Sequence, residues 1–222
     1  MKKASKKIQI KYGNILIGFL VVSLVVLVVL ITFEVRNVLR EITGEEEGEV
    51  VTLNEIAGYG YILTENHTEY FTELFFELKE LLESDVRGDD FDENYARLVT
   101  KMFLADFYDL NSKVTKNDVG GVQFVFVPYQ ETFIQFATDI GGIYFYLETN
   151  LDGERTQKLP IVKEIEIVSV TLGEFLHEDL DPQYAAFIIE ARIIYEENLG
   201  FDTSRTLVLA RNGERIEIVE MR

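Results

Sequence analysis

Hydrophobic positions change their spacing twice along the chain, and each spacing predicts a different kind of element. Residues 15–33 are nineteen consecutive residues without a charged side chain. At about 1.5 Å of rise per residue, a helix of this length crosses the roughly 30 Å hydrocarbon layer of a membrane. The run is apolar on all sides, whereas a helix on the surface of a soluble core keeps one polar face. Residues 15–33 are therefore predicted to form a transmembrane helix.

From residue 68 onward the apolar positions recur every three or four residues, which is the spacing of a helix with one apolar face. This spacing predicts three helices, over residues 68–83, 92–111 and about 129–137. Between the second and the third helix, residues 122–127 read VQFVFV and are followed by Pro128. The apolar run and the proline that ends it predict a short strand there.

The last third of the chain alternates apolar and polar residues with a period of two, which is typical of strands that bury one face. The alternation predicts antiparallel strands over residues 162–175 and 184–196 and a closing hairpin over 205–221. The buried face of the second strand is predicted to hold Ala185, Phe187, Ile189, Ala191, Ile193 and Tyr195. Asn212-Gly213 lies within the hairpin, and both residues tolerate the positive φ of a type I′ turn. Helices followed by strands indicate an α+β domain, with helices packed on a curved antiparallel sheet.

Charge around the apolar run indicates how the chain crosses the membrane. Residues 1–33 contain five lysines and no acidic residue, and short basic flanks stay on the cytoplasmic side. Residues 1–14 are therefore predicted to be a cytoplasmic basic tail, and the C-terminal domain is predicted to be extracellular or periplasmic. A cleaved signal peptide is the alternative, but its apolar region has about 7–15 residues and ends at a small-x-small site. Residues 32–36, TFEVR, offer no such site.

Residues 34–222 are strongly acidic. They hold 16 of the 21 basic residues and all 39 acidic residues, so we expect them to repel nucleic acid and anionic lipid headgroups. Residues 34–49 are predicted to be a juxtamembrane stalk and an acidic linker, because GEEEGE at 44–49 has nothing to bury. Residues 50–222 are predicted to be the extracytoplasmic α+β domain.

The residue types exclude several kinds of chemistry. The chain has no cysteine, which excludes disulfides, thiol catalysis, iron–sulfur clusters and cysteine-ligated zinc. His67 and His177 lie among acidic residues without the convergent spacing of metal ligands. We therefore predict no metal site, no cofactor and no catalytic residues. An enzyme would need carboxylates such as Glu190 held together inside a cavity, and the alternation places Glu190 on the polar face of its strand.

The order of the elements resembles the nuclear-transport-factor-like superfamily of cystatin-like cone folds. The elements that carry the resemblance are the helices 68–83 and 92–111, the strands 162–175, 184–196 and 205–221, and the hairpin Arg211-Asn212-Gly213-Glu214. Within that superfamily, a short cytoplasmic tail, one span and one small exported domain are similar to the bitopic assembly factor of type IV secretion and conjugation channels. The resemblance implies helices over a cone-shaped sheet and a subunit of an envelope complex. Pro128 and Pro160 lack the Asn-Pro context of that family's motif.

Aromatic residues are the remaining candidates for function. The chain has 11 tyrosines and 16 phenylalanines. Six of them are the candidate contacts with a ligand or partner: Phe124, Phe126, Tyr129, Phe133, Phe136 and Phe187. They form either part of the core or an exposed patch or pocket. The leading hypothesis is a non-enzymatic module that binds a protein partner or itself. The alternative is a sensor or binder of a small apolar or wall-derived ligand, in a pocket lined by Phe124, Phe133 and Phe187.

Overall fold

Six strands and three helices form the part of the chain that the computed structural model describes, which is residues 51–85, 87–177 and 185–222. The strands are β1 (Thr52–Ile56), β2 (Tyr61–Thr64), β3 (Val162–Gly173), β4 (Ala186–Tyr195), β5 (Ser204–Asn212) and β6 (Arg215–Met221). The helices are α1 (Glu69–Glu83), α2 (Phe91–Tyr108) and α3 (Gln130–Thr138). No helix among the described residues is long and apolar enough to span a membrane. The predicted tail 1–14, transmembrane helix 15–33 and linker 34–49 lie outside them.

The three predicted helices are confirmed, with small differences at their ends. α1 begins directly after Thr68, whose Oγ1 accepts a hydrogen bond from the backbone N–H of Phe71 at 3.2 Å. Such an N-cap satisfies a donor that the first helical turn leaves unpaired. α2 ends at Tyr108, three residues before the predicted end. Asp109 explains the early end, because its Oδ1 accepts the N–H of Ser112 at 3.0 Å and offers the backbone a turn instead of another helical residue.

The four-stranded sheet confirms the predicted α+β architecture. Its strands are antiparallel in the order β3-β4-β5-β6. α2 packs against β3, β4 and β6, and α1 packs against α2. On β4, the predicted inner residues Ile189, Ala191 and Ile193 are buried in the main core. The prediction is wrong for Ala185, which is exposed and precedes the strand. Helices thus cover one face of an antiparallel sheet.

The closing hairpin is confirmed, but the predicted type I′ turn over Asn212-Gly213 is wrong. Asn212 pairs with Arg215, so the two loop residues are Gly213 and Glu214. Only Gly213 has a positive φ, +59°, as the first central position of a type II′ turn requires. Asn212 stays in the strand, where its Nδ2 donates to Oε2 of Glu217 at 2.8 Å.

The predicted strand over residues 122–127 is also wrong. Two short 3₁₀ helices, Val122–Phe124 and Val127–Tyr129, occupy this stretch, and only Val125 forms a bridge, to Ile218 of β6. Gln130 stabilises the coiled path, because its Nε2 donates to the carbonyl oxygens of Val122 and Val125 at 3.2 and 3.0 Å. The apolar run is therefore buried as irregular chain rather than as a strand.

A second, two-stranded sheet was not predicted. β1 and β2 pair antiparallel, and Gly58 and Gly60 both have positive φ in the connection between them. Gln123 ties the small sheet to the coiled stretch, since its Oε1 accepts the N–H of Ile62 at 2.8 Å and its Nε2 donates to the carbonyl of Ile62 at 3.2 Å. Ile56, Tyr61 and Leu63 join the main core.

Candidate functional site

Three of the six aromatic candidates are packing residues. Phe124 is fully buried, with its ring centroid 5.2 Å from that of Tyr61. Phe126 is also buried, in a small cluster with Val208 that covers part of the sheet. Phe187 is half-buried against the main core. Because Phe124 is enclosed in the interior, Phe124, Phe133 and Phe187 do not line an open pocket together as predicted.

The other three candidates lie together in an open groove between α3 and β6, which we call the α3–β6 groove. It has a volume of about 470 Å³ and is lined by Phe103, Val125, Tyr129, Thr132, Phe133, Phe136, Ile218, Val219, Glu220 and Met221. The Phe133 ring lies 5.6 Å from Phe103 and 5.0 Å from Phe107, so it rests on the core. Phe136 is 67 % exposed. Glu220 is the one charged residue of the lining and accepts a hydrogen bond from Nε of Arg222 at 2.7 Å.

Among the described residues, the groove borders a sheet edge on which no further strand is paired. β6 is an outer strand of the four-stranded sheet, with β5 as its neighbour. The first half of its outer edge is covered, because the N–H of Phe126 donates to the carbonyl of Ile218 at 2.9 Å and the hydroxyl of Tyr61 donates to the carbonyl of Ile216 at 3.4 Å. Beyond Ile218 the edge runs along the α3–β6 groove.

A buried charged cluster lies beside a second pocket of about 330 Å³. Lys113 Nζ donates a charge-assisted hydrogen bond to Oδ1 of Asp106, and both side chains are buried. The N–H of Gly121 donates to Oδ2 of Asp106 at 2.7 Å. Gly120 passes so close to α2 that a Cβ there would lie 2.2 Å from the carbonyl oxygen of Asp106. The chain after α2 thus closes back on the helix around a hydrogen-bonded ion pair.

His67 joins this cluster with both ring nitrogens engaged. Its Nδ1 accepts the backbone N–H of Thr64 at 2.9 Å, so Nε2 carries the proton, and Nε2 faces Oδ2 of Asp106 at 3.6 Å. The imidazole also stacks on Phe71, with ring centroids 3.9 Å apart. A general base needs a lone pair that can reach the substrate. In this tautomer the free lone pair of the ring is on Nδ1, and that lone pair already accepts the hydrogen bond from Thr64.

The ion pair fixes the charges of its two members. Burial alone raises the pKa of Asp106, but the ammonium of Lys113 and the imidazole of His67 together outweigh that effect and hold the pKa of the carboxyl below its usual range. Burial alone lowers the pKa of Lys113, but the carboxylates of Asp106 and Asp118 outweigh it and raise the pKa above its usual value. Both groups therefore stay charged at neutral pH, and neither is poised to exchange a proton in catalysis.

The other polar residues considered from the sequence are dispersed. Within the described ranges, no group of three acidic or histidine side chains is placed to share a metal ion. The His177 ring packs edge-on against Phe126, with centroids 5.1 Å apart, and the acidic residues of 178–184 lie outside the described part of the chain. Glu190 is exposed, and its carboxylate accepts a hydrogen bond from Ser169 of the neighbouring strand at 3.1 Å.

The hydropathy pattern did not single out Asp106, Lys113 or the outer edge of β6. Residues 103–108 read FLADFY, so Asp106 is an acid among large apolar residues of a predicted helix. That contrast is a signal for a buried carboxylate with a partner. Helical spacing does not find the partner, because Lys113 lies beyond the end of α2.

Comparisons of this chain with protein-family models, with curated proteins and with solved structures gave no match. Its function is therefore inferred from the α3–β6 groove and the charged cluster.

Proposed function

We propose that the chain is a membrane-anchored, non-enzymatic module whose α+β domain binds a polypeptide partner outside the cytoplasm. The observation that carries the proposal is the α3–β6 groove, in which Phe136 is 67 % exposed beside the free edge of β6. Apolar patches with polar surroundings mark interaction sites in proteins. Aromatic side chains seated in such patches supply much of the binding energy of protein interfaces.

Two further observations support the proposal. The ionisable groups of the buried cluster bond to one another, which favours a structural role for Asp106, Lys113 and His67. The uncharged run 15–33 after a lysine-rich tail supports an anchor with the domain outside. Together with the resemblance to the nuclear-transport-factor-like assembly factor, they favour a subunit of a secretion- or conjugation-type envelope complex.

A small apolar or wall-derived ligand is the second candidate. The groove favours it in two respects, because nine of the ten lining residues are uncharged and the volume of about 470 Å³ is that of a ligand pocket. The occupant would then contact Phe133 and Phe136 rather than the predicted set with Phe124 and Phe187.

Photo-crosslinking in intact membranes tests the proposal. A benzophenone amino acid replaces Phe136 in the full chain, and the control carries it at Tyr146, an aromatic residue that is 73 % exposed and does not line the groove. We expect a discrete adduct with a polypeptide at position 136 and none at 146. Adducts of small mass at position 136 would favour the second candidate. Equal patterns at both positions, or no adduct at 136, would contradict a binding role for the groove.

A further inference from the structure

We infer that the partner enters the α3–β6 groove as an extended segment, apolar and basic in character, that adds a strand to the free edge of β6. The inference rests on the proposed function and specifies the conformation and chemistry of the partner. It is carried by three properties of the groove, which are its backbone groups, its shape and its charge.

The backbone groups of Met221 face the groove side of β6. Thr206 and Arg222 exchange two backbone hydrogen bonds between β5 and the end of β6, at 3.1 and 2.8 Å. In an antiparallel pair, the residue next to such a pair directs its N–H and C=O away from the partner strand. Met221 therefore presents a donor and an acceptor on the side opposite β5, and among the described residues neither group has a hydrogen-bond partner. An added strand would satisfy both.

The groove lies between a strand edge and a helix. β6 forms one wall and α3 the other, with Phe103 of α2 also in the lining. A single extended segment lies between a strand edge and a helix in recognition by strand addition, and its alternate side chains point into the groove. A second copy of this chain fits less well, because its own β6 edge is flanked by its own α3. Pairing two β6 edges would bring two α3 helices into the same groove.

The charge around the groove favours a basic segment. The lining holds one acid, Glu220, and no lysine or arginine, and Arg222 already pairs with Glu220, so the attraction comes from the acids around the groove. Glu131 and Asp139 are exposed at the two ends of α3. Residues 34–222 carry 39 acidic and 16 basic residues, so an acidic segment is repelled on approach and a basic one is attracted. The preferred segment alternates apolar residues, which contact Phe133 and Phe136, with lysine or arginine.

Selection from a random peptide library tests this inference directly. The probe is a phage-displayed library of twelve-residue peptides, panned on the full chain in detergent and depleted on the Phe136→Asp variant. A second variant, Met221→Pro, removes the outward N–H without breaking a hydrogen bond to β5, and proline is tolerated at such edge positions. Met221→Leu is the matched control, because it keeps the N–H and an apolar side chain of similar size. Circular dichroism checks that the variants fold as the wild type does.

We expect the enriched peptides to alternate apolar and basic residues and to bind the wild type and Met221→Leu at least about tenfold more tightly than Met221→Pro or Phe136→Asp, a difference of about 1.4 kcal/mol. Bound peptide should also slow hydrogen exchange at the Met221 amide. Enriched peptides that are acidic, or that bind Met221→Pro as tightly as the wild type, would overturn strand addition, as would the absence of any peptide that separates the wild type from Phe136→Asp. A polypeptide crosslink at position 136 together with normal binding by Met221→Pro would leave the proposed function in place and remove only this inference.

Discussion

Asp106 and Lys113 form a buried ion pair across the end of α2 and are seven positions apart in the sequence. The carboxylate also accepts the N–H of Gly121 at 2.7 Å and faces the Nε2 of His67 at 3.6 Å. A pair with so many partners offsets much of its desolvation penalty, whereas one member left alone does not. The pair therefore holds the segment after α2 against the helix, and this geometry makes the cluster testable by mutation.

A double-mutant cycle measures the coupling within this pair. Asp106→Asn keeps an oxygen for the Gly121 N–H but removes the nearest countercharge of the buried Lys113 ammonium, and we expect it to lower the free energy of unfolding by about 3–5 kcal/mol. Lys113→Met should also destabilise the protein, and the double variant should lose less than the sum of the two losses. Urea denaturation followed by circular dichroism measures all four. The exposed pair of Lys158 and Glu197, 3.4 Å apart, is the control, and its removal should have no measurable effect. Strictly additive losses would contradict a coupled pair.

The free energy of unfolding at low pH tests the same ion pair, because Asp106 becomes protonated there. The pKa of Asp106 lies below the unperturbed value of 3.8 in the folded state. Its contribution to the free energy of unfolding is therefore complete above about pH 5 and is lost as the pH falls through the folded pKa. The difference in stability between the wild type and Asp106→Asn should be smaller at pH 3 than at pH 7. Burial raises the pKa of Asp109, so its contribution to stability changes with pH in the opposite sense. Both proteins keep Asp109, and its contribution therefore cancels in the difference between them. Denaturation curves at stepwise pH check this, and an equal difference at pH 3 and pH 7 would rule it out.

The fold followed from the sequence wherever the side-chain period was regular. The helices and the four long strands were placed within a few residues, because periods of 3.6 and 2 decide which face an element buries. The predicted strand over residues 122–127 was wrong for a reason that the spacing of apolar residues does not reveal. A β-branched and aromatic run favours a strand, but Gln130 and the bridge from Val125 to Ile218 impose a coiled path through tertiary contacts. The Asn212 side chain likewise shifted the hairpin turn by one residue through its hydrogen bond to Glu217.

The candidate site was predicted in part. Tyr129, Phe133 and Phe136 lie in one groove, whereas Phe124 and Phe126 from the same aromatic stretch are buried. Local sequence does not separate these two groups, because both belong to one aromatic stretch. Tertiary packing separates them, such as the contact of Phe133 with the rings of Phe103 and Phe107. The free edge of β6 is a property of strand order, which depends on long-range pairing.

Phe133 and Phe136 should differ in their effect on stability. Phe133 is half-buried on the rings of Phe103 and Phe107, so Phe133→Ala should lower the free energy of unfolding by about 1–3 kcal/mol through lost packing. Phe136 is 67 % exposed, so Phe136→Ala should change it by less than about 0.5 kcal/mol. Urea denaturation of the two variants compares them. Similar losses would show that Phe136 is a packing residue, which would contradict its role as an open contact in the groove.

Cysteine labelling should establish the orientation of the chain in the membrane. Because the wild type contains no cysteine, a single introduced thiol is the only target for a membrane-impermeant maleimide. Asp152→Cys lies in an exposed loop of the domain, and we expect it to react in intact cells that express the full chain. Lys3→Cys lies in the basic tail, which the lysine-rich flank predicts to be cytoplasmic, so it should react only after the cells are permeabilised. The labelled protein should stay in the membrane fraction with the mass of the uncleaved chain, 25.6 kDa. Labelling of Lys3→Cys in intact cells would reverse the predicted orientation, and a shortened, soluble Asp152→Cys product would favour a cleaved signal peptide over an anchor.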